Sequence, residues 1–376
     1  MHRGEKGKVL PREQFFPLSP IRDVVHSREL LAADFRGRYY AKEFFFNHCL
    51  PQRLGACDMA KGFFTQGMSL LTNGQTTIDH IKAALRQQGF EIVKESPAQE
   101  NWALGGPTLV VAFLPDVNGY AAVDVVNQPW PDSMGDPKSD SMTFAAWSMG
   151  HFGPFTFPGS LARSRQHAWA WQPGQTIPEG HHGFIRLRIS YVFGANKDAL
   201  VMPADYDPVA EMMFLSRAVI ALLQAPGVIC YFNPNGEVLR DDAAFRQVWD
   251  ACSEQQKMPL PLWMNIRFFN LSDKLGFMDT VGNGQLEIRD VEAVFPSAKY
   301  NPGDIDYYLR NVTHYLLGLD REMQSGEDID GPGESNLSWT MEVLDQGVIE
   351  PPRRVLRLYP KASSNAVRTA LSAVGR

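Results

Sequence analysis

Four histidines, His151, His167, His181 and His182, fall within one window of this 376-residue chain. A catalytic zinc site of the HExxH type would set histidines three or four positions apart on a helix with a carboxylate nearby. None of the four has that spacing, and His181 and His182, adjacent in a Gly-flanked loop, point two ways. They read as ordinary hydrogen-bonded histidines. Asp205 and Asp207 in PADYDP form a DxD pair that could hold Mg²⁺ for phosphoryl chemistry. Pro208 behind them marks a helix start instead, where carboxylates favour the dipole. A third group, Asp320, Glu322, Glu327, Asp328, Asp330 and Glu334, is opposed only by Arg321. DREMQSGEDIDG lacks the first ligands of a calcium loop, so it reads as a solvated acidic loop. Such a loop can also mimic nucleic-acid phosphate toward a basic partner. Ser160 in PGSLA fits neither the G-x-S-x-G elbow nor an SxxK motif, and Gly105-Gly106 precedes a strand, which excludes a phosphate-binding loop. No catalytic residue is assigned, and neither a metal nor a cofactor is expected.

The elements around these residues follow from periodicity and turn chemistry. Residues 1–60 read as an N-terminal arm rich in Pro and charge, then a segment of partly helical spacing with the aromatic group Phe44, Phe45 and Phe46. Thr77 can cap a helix that carries Ile78, Ile81, Ala84 and Leu85 and stops at Gly89. TLVVAFLP and AAVDVVN, joined at Asn118-Gly119, predict a buried hairpin. FIRLRISYVF alternates like a strand with one wet face. Pro208 opens the apolar helix VAEMMFLSRAVIALLQ, and Asp241 or Asp242 caps AAFRQVWDACSEQ. GFMDTVGNGQLEIR reads as strands turning at Asn283-Gly284. The expected fold is α+β, with largely antiparallel sheets flanked by helices. The recurring order of helix, strand, NG turn and strand admits two similar α+β subdomains, 61–200 and 201–376.

Bulk properties narrow the class. At 44% hydrophobic and 21% charged the chain is ordinarily globular. A net charge of −6 argues against direct nucleic-acid binding. No apolar run reaches a membrane span, and MHRGEKGKVLPREQFFPLSP lacks the apolar region of an export signal. Cys49, Cys57, Cys230 and Cys252 fit neither zinc pairs nor a disulfide scaffold. The expected compartment is the cytoplasm.

Most of the tryptophan lies in an aromatic belt from Trp102 to Pro173, carrying Trp102, Trp130, Trp147, Trp169 and Trp171. So much indole around irregular backbone implies an unusual core or a surface meant to be covered. Across Gly106–Trp171, and more weakly to Arg240, the motifs PTLVVAFLP, VDVVNQPWPD, SRQHAWAW and APGVICYFNPNGEV resemble a bacterial family known as a domain of unknown function. Members occur beside type VI secretion and polymorphic-toxin genes, so the resemblance implies an immunity protein: a non-enzymatic inhibitor of a co-encoded antibacterial effector, here a nuclease toxin. It transfers no catalytic residue. The expected partner-binding residues are Glu327, Asp328, Asp330 and Glu334 in the acidic loop, with Trp130 and Phe155 as exposed aromatics flanked by Pro or Gly. The alternatives are a metal-dependent hydrolase using His181 or His182 with Asp205 and Asp207, and an effector-binding secretion adaptor.

Overall fold

The computed structural model describes residues 63–195, 200–333 and 337–374. The arm and aromatic segment expected over 1–60, Cys49, Cys57 and Glu334 lie outside the described residues. Two sheets organise the rest. The first runs β1 Gln66–Thr72, β2 Ile92–Ser96, β3 Thr108–Leu114, β4 Gly119–Val126, β5 Gly183–Ser190, β6 Val228–Asn233 and β7 Val238–Arg240, in the spatial order β2-β3-β4-β5-β1-β6-β7. All its pairings are antiparallel. The second contains β8 Asn265–Ser272, β9 Leu275–Val281, β10 Asp290–Pro296, β11 Asp328–Asp330, β12 Ser338–Leu344 and β13 Val355–Pro360, ordered β11-β12-β13-β10-β9-β8. Only β10 and β13 pair in parallel. The α+β class with mostly antiparallel sheets therefore holds. β6 and β7, which the residue reading set beyond 200, pair into the first sheet through β1.

The helices start where local chemistry satisfies their free N–H groups. Thr77 caps α1 (Ile78–Gln87): its hydroxyl accepts the His80 N–H, and His80 returns the bond to the Thr77 N–H. Asp207 accepts the Val209 and Ala210 N–H groups at the head of α4 (Pro208–Leu222), and Asp241 does the same through Ala244 for α5 (Asp242–Glu254). Asn301 caps α7 (Pro302–Leu317). α1 and α4 cover one face of the first sheet and α7 one face of the second. Those faces share one apolar core, in which Leu70, Leu187 and Leu215 belong to the same cluster as Ala293, Leu309 and Leu358. Among the described residues no helix is long and apolar enough to cross a membrane.

The outer face of each sheet is covered too. Residues 127–182, with the short helices α2 (Ser141–Ser148) and α3 (Ser160–Gln166), lie over the first sheet. Over the second lie the β12–β13 connection and α8 (Ser364–Val374), which bring Val348, Ile349 and Val367 against Phe277 and Tyr359. The wet face expected of β5 is therefore absent: all eight of its residues are buried. The expected hairpin at Asn283-Gly284 is instead a 3₁₀ turn over Asn283–Leu286, and the return strand starts later, at Asp290. Asp290 holds that turn, accepting from the Thr280 hydroxyl (2.7 Å) and the Asn283 N–H (3.1 Å).

The sheets meet along a polar seam at the β6–β7 turn. Carbonyl oxygen of Trp263, in the short helix α6 (Leu260–Trp263), accepts from Asn233 Nδ2 (3.2 Å) and Gln285 Nε2 (2.8 Å). Gln66 Nε2 donates to the Gln285 carbonyl at 2.6 Å. Gly236 is pressed against this seam: a Cβ there would stand 1.9 Å from the Trp263 oxygen. Backbone cannot rotate away as a side chain can, so Gly236→Ala should cost about 3 kcal/mol or more in denaturant unfolding. Gly180→Ala, where a Cβ meets nothing within 4 Å, should stay within about 0.5 kcal/mol. Equal midpoints for the two variants would contradict this packing.

Candidate functional site

The belt gains its shape from charges buried beneath it. On β5, Phe184, Arg186 and Arg188 face away from the shared core, and Arg186 is the register partner of Asp124 on β4. Asp124 accepts from Arg186 Nη2 (2.7 Å), Arg188 Nη2 (2.9 Å) and the Gly106 N–H (2.9 Å). Burial alone would raise the Asp124 carboxyl; the two guanidiniums override it and hold the group below its usual range. Arg186 Nη1 then donates to the Ala103 carbonyl at 2.8 Å, which anchors the start of the belt to the sheet. His151 lies beside Arg188, 3.1 Å from Nδ1 to Nη1; burial, then the adjacent Arg188, push it down to about 4.

A second buried network links the belt to both sheets. Glu237, in the β6–β7 turn, accepts from Arg163 of α3 (2.5 Å) and lies 3.3 Å from Arg267 of β8. Arg267 holds Asp279 through two bonds of 3.0 and 2.7 Å, and Arg353 pairs with the same carboxylate. Strand register then continues a charged row across five strands: Arg267, Asp279, Glu292, Arg357 and Glu342 stand opposite one another in turn. Arg357 binds Glu292 at 2.8 Å, and the Tyr359 hydroxyl donates to Glu342 at 2.6 Å. Burial raises the carboxyls of Glu237, Asp290 and Glu292, and their guanidinium partners pull them back. This row was missed in the sequence, although the alternation of Asp290 and Glu292 with Val291 and Ala293 carries its period of two.

The expected partner-binding residues divide. Trp130 is not at the surface: it is 4% exposed and packs edge-on against Trp147, Phe152, Phe184 and Phe232. Its flanking prolines turn the chain down onto the sheet instead of out to solvent. Phe155 is half-buried, its N–H donating to Asn235 Oδ1 at 3.1 Å. The acidic stretch is partly a strand. Asp328 and Asp330 sit on β11 at the edge of the second sheet, with Ile329 buried between them. Asp328 pairs with Lys361 at 2.8 Å. Glu327 is clamped by Arg321 through bonds of 2.7 and 2.8 Å, and those bonds lower its carboxyl. Asp320 and Glu322 are exposed.

Among the described tryptophans Trp169 reaches solvent, 56% exposed, and Phe157 of the belt is exposed as well. Trp169 follows α3, and its ring centroid lies 6.2 Å from that of His167, which in turn lies 4.9 Å from Phe269 of β8. The His167 carbonyl accepts from Asn265 Nδ2 (3.2 Å), so the same turn is tied to the second sheet. The proposed hydrolase residues are not brought together. His181 Nε2 accepts the Trp130 backbone N–H at 2.9 Å, and Asp207 is the α4 cap. Among the described residues no group of three or more His, Cys, Asp or Glu could hold a metal ion. Cys230 and Cys252 are free thiols, and burial pushes both up from their ordinary range.

Residues 279–359 match the family described as Domain of unknown function (DUF4261). The matched segment starts at Asp279 and ends at Tyr359, so it spans the second sheet apart from β8 and the start of β9. It includes most of the charged row and the acidic edge strand. It does not include Gly106–Trp171, where the resemblance was read in the sequence. No curated protein and no solved structure matches the chain.

His167 offers a direct reading of this burial. It is 5% exposed, and burial, then Arg267, push it down to about 4. The unfolded chain therefore binds a proton that the folded chain refuses, and the contribution is lost as pH falls from about 6.5 toward 4. In His167→Phe, which keeps a ring between Trp169 and Phe269, that loss disappears. The stability of wild type relative to the variant should fall on acidification by up to about 1.4 kcal/mol per pH unit. A difference independent of pH between 7 and 5 would contradict it.

Proposed function

We propose that this protein is a binding protein that neutralises a co-encoded antibacterial effector, an immunity protein of the kind found at type VI secretion loci, acting in the cytoplasm against a nuclease toxin. The observation that carries the reading is Trp169: a large aromatic held out to solvent from a turn tied to the belt and to the second sheet. Tryptophan is the residue most enriched among interface hot spots, and a preorganised one loses little entropy on binding. Asp320 and Glu322, with the acidic strand edge of Asp328 and Asp330, supply a second, charged surface at the edge of the second sheet opposite β8. On a chain of net charge −6 these suit the basic surface by which a nuclease holds its polyanionic substrate. Trp169 takes the place that the sequence reading gave to Trp130.

The test is co-expression with the toxin encoded beside this gene, read as growth and as co-purification. Wild type should restore growth, and Trp169→Ala should weaken the complex by about 2 kcal/mol, roughly 30-fold. Reversing Asp320 and Glu322 to lysine should slow association at low salt and leave dissociation nearly unchanged. Absence of both rescue and co-purification would overturn the reading. Binding confined to a non-toxic region of the effector would assign the chain to escort instead of inhibition.

A further inference from the structure

Positive charge collects where β7, the loop after α5 and the outer side of α7 meet. Arg240, the last residue of β7, is 7% exposed. Among the described residues its guanidinium donates only to carbonyl oxygens, those of Leu239 (2.7 Å) and Pro261 (3.3 Å). On α7, Asp306, Arg310 and His314 follow one another at intervals of four, along one side of the helix. Arg310 gives Nε and Nη2 to Asp306 (2.9 and 3.0 Å), and its Nη1 is buried with no hydrogen-bond partner. Lys257 is brought in by the end of α5. Gln256 takes a left-handed conformation (φ 52°), and the Lys257 N–H donates to the Cys252 carbonyl at 2.8 Å, which folds the chain back over the helix end. Its ammonium donates to Gln255 Oε1 at 3.0 Å, and the same loop runs on to Pro261, the acceptor of Arg240.

These groups are close enough to act on one another. Burial, then Arg310, draws Arg240 down to about 10. Burial, then Lys257 and Arg310, pushes His314 down to about 4, and the same two cations oppose the rise that burial gives the Cys252 thiol. The two carboxylates at hand are already engaged, Asp306 on Arg310 and Asp241 on the Ala244 N–H at the head of α5. A guanidinium out of water without a carboxylate is costly, and crowding further cations around it adds to the cost. An oxyanion would remove that cost and give Arg310 Nη1 an acceptor. Lys257, Arg310 and His314 are only half-buried, so solvent reaches the group. Guanidinium and ammonium donors converging from three elements suit a tetrahedral phosphate better than a planar carboxylate. We propose that Arg240, Lys257, Arg310 and His314 form a binding site for a phosphate group, taken as the free anion or on a small monoester. The site lies apart from Trp169, and its occupation does not depend on the binding role given to that residue.

Full-length protein titrated with inorganic phosphate and with glycerol phosphate, at fixed ionic strength, tests the site. The His314 ring signals, assigned by their loss in His314→Gln, should report a pKa rising from about 4 to about 5 or above at saturation, because a bound anion favours the charged imidazole. Lys257→Ala, which removes one half-buried side chain, should weaken phosphate binding about tenfold, and Arg240→Met about a hundredfold. Should Arg240→Met fail to fold, Lys257→Ala and the His314 signals decide. Tighter binding of glycerol phosphate assigns the site to a monoester and tighter binding of phosphate to the free anion, and either result supports the proposal. Unmoved His314 signals, equal affinity in Lys257→Ala, or a response that sodium acetate reproduces in full overturns it.

Discussion

Glu237 is where the structure is tied. Its carboxylate is almost fully buried at the β6–β7 turn, between Arg163 from the belt and Arg267 from the second sheet. A carboxylate taken out of water costs several kcal/mol unless paired, so its position requires both guanidiniums to arrive from separate parts of the chain. Arg267 in turn needs Asp279, and Asp279 also receives Arg353. Belt, first sheet and second sheet are thus obliged to assemble together. Gly236 beside it leaves no room for adjustment, since the Trp263 carbonyl fills the space of a side chain.

That obligation reaches the surface. Arg163 belongs to α3, whose first turn is held by Asp132 accepting the Leu161 and Ala162 N–H groups, each at 2.8 Å. The chain leaving α3 is fixed by Asn265 at His167 and presents Trp169 immediately afterwards. Buried ion pairs are weak evidence for stability, but they specify one arrangement over its alternatives where geometry leaves few others. Here the arrangement specified places Trp169, exposed, at the junction of the belt and β8. The proposed binding role rests on that placement.

Much of the scaffold was legible because its signals are local. Thr77, Pro208 and Asp241 mark helix starts through groups that act within one turn, and TLVVAFLP with AAVDVVN declares its hairpin through burial and Asn118-Gly119. What escaped depends on distant partners. FIRLRISYVF alternates as a half-wet strand would, and nothing within it says that Asp124 and the belt will cover Arg186 and Arg188. Trp130 looked exposed because prolines flank it, yet its surroundings are Phe184 and Phe232, more than fifty residues away. The acidic residues looked unopposed because Lys361, the partner of Asp328, lies outside the run. Within the belt the exposed tryptophan is Trp169, while Trp130 is buried.

Denaturant unfolding of Glu237→Gln tests the central claim most directly. The substitution keeps the shape, turns one of the two acceptor oxygens into an NH2 donor, and leaves Arg163 and Arg267 without their shared charge. A loss of about 3–5 kcal/mol in a single cooperative transition is the predicted result. A loss below about 1 kcal/mol would contradict the assignment of Glu237 as the tie between the belt and the two sheets.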